Sequence, residues 1–127
     1  MSRKLWTIGI TGLLLAVLFW YEQREIHALT GAASQATQEI IAAIRTGEMG
    51  TAQEKARALD LLWDERAGRL EMMVDHGSTD DVRYALSRLI AALEGGDKTS
   101  MLIYAGELEG SVEHVYERQQ VTMENLF

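Results

Sequence analysis

The chain has 127 residues, which suits one small domain. Its 19 acidic and 12 basic residues give a formal charge of −7, which argues against a general nucleic-acid binder, because neutralising phosphates needs a basic surface. Having no cysteine excludes disulfides, thiolate metal sites and a cysteine nucleophile, and having no proline leaves every segment free to be helical.

After a short basic start (1–4), Leu5 to Tyr21 reads LWTIGITGLLLAVLFWY, 17 residues without a charge. As a helix this run spans about 25 Å, the short end of the range for crossing a bilayer's hydrocarbon core. Trp6 stands near one end and Trp20-Tyr21 at the other, where amphipathic rings favour the headgroup layer. Bulky Phe19, Trp20 and Tyr21 follow the apolar core where signal peptidase needs small residues, and Gly31-Ala32-Ala33 comes too late, so the run reads as an uncleaved anchor. Ser2 and the missing cysteines exclude a lipid anchor. Arg3 and Lys4 predict a cytoplasmic N-terminus, with everything after Tyr21 on the far side of the cell membrane. Gly9 and Gly12 are three apart and do not form the GxxxG pattern of dimerising spans. Beyond the anchor, 10 basic residues face 19 acidic ones, a surface that anionic headgroups repel.

After Tyr21 the apolar residues recur at helical spacing, never in sustained alternation. Ile26, Leu29, Ala33, Ala36, Ile40 and Ile44 extend the membrane helix as a stalk over 22–46, with Gly47 and Gly50 bracketing a break. The small residues of 30–37 suit either a mobile stretch or close packing against a neighbour. Thr51-Ala52-Gln53-Glu54 reads as a capping box opening the next helix, with a stripe of Ala56, Leu59, Trp63, Ala67, Leu70 and Val74. Asp75-His76-Gly77 ends it, with Gly77 suited to a left-handed cap. Ser78 or Thr79 then caps a helix with Asp80 and Asp81 in its first turn and the stripe Val82, Leu86, Leu89, Leu93, ended by Gly95-Gly96. Asp97 or Thr99 caps the last helix, whose stripe Met101, Ala105, Leu108, Val112, Val115 steps by four and three. Its outer face carries Glu109, Glu113 and Glu117, and 121–127 is too short to classify. The sum is an all-α chain: a transmembrane helix (5–21), then about four helical segments packed as a small antiparallel bundle, with 47–127 as its body.

The basic start with Trp6 in the apolar run, Gly47-Glu48 before the Ala52 helix, Trp63, Asp75-His76, Leu86-Ser87-Arg88-Leu89, His114 and Asn125-Leu126-Phe127 occur in this order. Together they resemble a bacterial family known as domain of unknown function 4363, small single-anchor proteins chiefly of Gram-positive bacteria. The chain has Met49-Gly50 where that family would carry an aromatic residue after the first turn. The resemblance implies an all-helical fold and topology, with no catalytic residue to carry over.

The densest polar cluster is Asp75-His76 with Asp80 and Asp81. A histidine and two carboxylates can hold a metal or exchange protons where they converge, but no HExxH-like spacing supports this, and the same residues suit a helix end followed by a helix start. Asp75, His76 and Asp80 are therefore the metal candidates of an enzyme reading that ranks below two others. His27, His76 and His114 lie on three different segments, and the sequence has no GxSxG motif and no phosphate loop. Trp63, Met72, Met73, Met101 and Tyr104 read as core filling ahead of a ligand groove. The expectation is a membrane-anchored extracytoplasmic interaction or scaffold module with a lipid bilayer around 5–21, a protein partner, no nucleic acid, no cofactor and no catalysis. A ligand-sensing domain working with a membrane partner is the alternative.

Overall fold

The computed structural model describes residues 2–70 and 76–126, with side chains given for all of these except Leu70, His76, Gln119 and 121–126. Four helices follow in order: α1 (Ser2–Thr46), α2 (Met49–Leu70), α3 (His76–Gly95) and α4 (Lys98–Leu126).

At 1.5 Å per residue the 45 residues of α1 measure about 68 Å without a break. The helix has two characters. From Ser2 to Leu18 every side chain is exposed, while from Ile26 onward Leu29, Thr30, Ala33, Thr37, Ile40, Ala43 and Ile44 are buried. The stretch 22–46 is thus more than a stalk, for from Ile26 it is one wall of the bundle. Its small residues pack closely: Thr30 Oγ1 donates to the Ile26 carbonyl at 3.0 Å and Thr37 Oγ1 to the Ala33 carbonyl at 2.7 Å. Each hydroxyl is satisfied within its own helix, which lets a polar residue sit in the core.

α1 ends in a Schellman motif. Gly47 takes φ 81°, its N–H donates to Ile44 O, and Glu48 N–H reaches back to Ala43 O at 2.9 Å. Only Gly47 and Glu48 separate the helices, because Glu48 O already accepts from Ala52 N at 3.1 Å. The expected capping box is therefore corrected: Thr51 lies inside the first turn of α2, as does Gly50, and position 48 is where the chain enters the helix. Ala52, Ala56, Leu59, Trp63 and Ala67 form the buried stripe.

The expected caps of α3 are corrected too. The chain is already helical at His76, so Gly77 lies within α3, and the positive-φ glycines among the described residues are Gly47 and Gly96. Ser78 and Thr79 are buried within the helix instead of capping it. The reason is tertiary. The Trp63 indole N–H donates to Thr79 O at 3.2 Å, drawing that turn against α2. Val82, Leu86, Leu89 and Leu93 are buried as the stripe predicts. Gly96, at φ 79°, closes α3 by donating to Ala92 O, and Asp97 opens α4. Asp97 Oδ1 accepts from Thr99 N and Oδ2 from the Ser100 hydroxyl at 2.6 Å, so Asp97 and not Thr99 is the cap. The backbone of 121–126 continues α4.

Among the described residues α1 packs on α2 and α4, α3 packs on the same two, and the diagonal pairs do not touch. The four helices close a square, antiparallel around the ring, with Trp63, Leu59, Leu86, Leu89, Met101 and Leu108 at its centre. Exposed ion pairs mark the seams: Lys55–Glu39 (2.7 Å), Arg57–Glu94 (3.0 Å) and Arg88–Glu107 (3.3 Å). Each contributes little to stability, but together they report the register.

Candidate functional site

Asp75, one of the three metal candidates, lies outside the described residues, and so does the side chain of His76. Asp80 stands in the first turns of α3, with its carboxylate 3.3 Å from the Arg83 guanidinium, which also lies 3.8 Å from Asp64 on α2. The Arg83–Asp64 contact ties α3 to α2, while Asp80 pairs with Arg83 within its own helix. Among the described residues no three histidine, aspartate or glutamate side chains come together as a metal site. His27 and His114 sit on opposite flanks of α4, one in each of the grooves described below. Trp63 and Met101 are core, Tyr104 packs against it, and Met72 and Met73 fall outside the described residues.

A concavity of about 430 Å³ lies elsewhere, between α1 and α4. Gly31 and Ser34 on α1 leave room for it, and a Cβ on Gly31 would meet nothing within 4 Å. At one end the Gln38 amide donates to Glu109 Oε2 at 2.7 Å. At the other the rings of His27 and Tyr116 lie 5.2 Å apart at 48°. Glu113 and Val112 complete the α4 side. Glu109 and Glu113 are exposed, as expected of a solvated face, and they also line the groove. The small-residue stretch 30–37 was the available signal; what it faces depends on a helix some 70 residues away.

A second groove of about 420 Å³ separates α3 from α4, lined by Tyr84, Gly110 and His114 and bridged by the Arg88–Glu107 pair. The Lys55 ammonium, donating to Glu39, holds that carboxyl below its ordinary value, helped by the Gln35 amide. The Ser100 hydroxyl does the same to Asp97.

The remaining feature is the outer half of α1. Eleven large apolar side chains between Leu5 and Tyr21 stand exposed, with no part of the apolar stretch buried by the bundle. Left in water they would forfeit on the order of 10–20 kcal/mol of transfer free energy, as much as a whole domain's stability. The helix is long and apolar enough to cross a membrane. Where it meets the bundle, the Arg24 guanidinium lies 5.5 Å from the centre of the Trp20 ring.

No curated protein and no solved structure matches the chain. One family model does, over residues 20–126, so the match takes in the bundle and leaves out Trp6 and most of the apolar run, which the sequence resemblance had included. That covers well over half of the chain, and the protein belongs to the family described as Domain of unknown function (DUF4363).

Proposed function

We propose that the protein is a single-pass membrane protein whose acidic four-helix bundle works on the extracytoplasmic side as an interaction or scaffold module, without catalysis. The observation that carries this reading is the unburied apolar half of α1, which needs a non-aqueous surrounding and has none within the fold. Arg3 and Lys4 before the run favour a cytoplasmic N-terminus. The bundle's acidic balance suits a body kept off anionic headgroups and free to meet a protein partner. Protease added to intact cells should digest the bundle, and the chain should pellet with membranes and resist extraction by salt. A freely soluble chain, or a bundle protected in intact cells, would refute the reading. In-cell crosslinking would then identify the partner.

The α1–α4 groove favours a second reading, ligand sensing. It is large enough for a small molecule, carries the polar groups of Gln38, Glu109 and Glu113, and is built on the helix that enters the apolar run. Saturable binding of a small polar compound, lost in Glu113→Ala and retained in Glu117→Ala, would establish it.

A further inference from the structure

α4 runs 29 residues, to Leu126, and its register on α1 says how far it reaches. Gln38 meets Glu109 and the ring of His27 meets that of Tyr116. Leu126 lies seventeen residues past Glu109 and ten past Tyr116, which counts back on α1 to Tyr21 by one contact and Val17 by the other. The end of α4 therefore reaches the rim of the apolar run.

The exposure of α1 changes at the same height. Side chains from Leu5 to Leu18 are exposed, whereas Phe19, Glu22, Gln23 and Glu25 are half-covered. Trp20 and Arg24, the ring and cation suited to a headgroup layer, stand at this level. The segment arriving there, Val121 to Leu126, contains Val121, Met123 and Leu126 and a single charge, Glu124.

We infer that the last turn of α4 is a second membrane contact, seated in the interfacial layer of the bilayer beside Trp20 and Tyr21. This rests on the membrane-spanning reading of 5–21. It makes the bundle a body held to the lipid at two points, the span and the end of α4.

The absence of cysteine makes the test direct. Single variants Leu14→Cys, Asn125→Cys, Thr122→Cys and Lys98→Cys of the full chain are labelled with an environment-sensitive fluorophore in phosphatidylcholine vesicles. A fraction of the lipid carries a headgroup spin label. The label at 125 should emit to the blue of that at 98 and be quenched several-fold more strongly, with 122 also quenched and 14 in hydrocarbon. Labels at both 122 and 125 as wet and unquenched as at 98, with 14 still in hydrocarbon, would overturn the inference and leave the span standing. A wet label at 14 would overturn both.

Discussion

Trp63→Phe tests the contact that ties α3 to α2 at Thr79. Trp63 is 1% exposed, and its indole N–H donates to the Thr79 carbonyl across the α2–α3 seam. Phenylalanine keeps an aromatic ring but removes that donor, at about 1 kcal/mol for the hydrogen bond. The lost ring atoms add about 1–2 kcal/mol in transfer energy and residual cavity. At roughly 4–8 °C per kcal/mol for a domain of this size, the melting point should fall by about 10 °C or more. The assay is thermal melting of the full chain in detergent micelles, followed by circular dichroism at a helical band. Leu61→Ala is the control, because Leu61 lies two residues away on the same helix and is 66% exposed, so its change should stay within about 0.5 kcal/mol. A Trp63→Phe melt indistinguishable from that of Leu61→Ala would refute the claim that the indole ties the two helices.

Gly96→Ala and Gly47→Ala each force a side chain into φ near +80° and should each destabilise by about 1–2 kcal/mol, read as a lower melting point; no change at either would contradict the left-handed turns. Asp97→Ala removes the cap of α4 and should lower the melting point by less than Trp63→Phe does. Because Asp97 and Glu39 titrate lower folded than unfolded, their stabilisation is present above the ordinary carboxylate range and is lost as the pH falls through the depressed folded values. Melting points measured downward from neutrality should therefore hold to about pH 5 and then drop, and Asp97→Asn should reduce the drop. Leu14→Asp places a charge at the middle of the apolar run at about 2.5–3.5 kcal/mol and should shift the chain from the membrane to the soluble or aggregated fraction; unchanged fractionation would count against the span.

Much of the fold was legible because it is written in local periodicity. The stripes Val82–Leu86–Leu89–Leu93 and Met101–Ala105–Leu108–Val112–Val115 are buried as spaced, and the apolar run is the unburied half of α1. Helix starts were harder to read, for a reason that differs between the two cases. Thr51 is an acceptable cap in isolation, but the Schellman exit of α1 leaves only Glu48 to enter α2 from. Ser78 and Thr79 are good caps as well, yet a distant indole takes the Thr79 carbonyl and buries the turn. The α1–α4 groove was hinted at only by the small residues of 30–37. Glu109 and Glu113 are exposed as their spacing predicts, and only the register of Gln38 on Glu109, 71 residues apart, sets them beside α1.

The unbroken run of α1 has a mechanical consequence. A helix without proline or internal irregularity between Tyr21 and Thr46 has no joint at which its apolar run and its bundle-forming part can swivel independently. Were the apolar run to sit in a bilayer and tilt by about 20°, an average tilt for membrane spans, the turn at Gly47 would move sideways by about 13 Å. The bundle would then be the far end of a lever, and tilt of the span would become displacement at the surface where a partner would meet it.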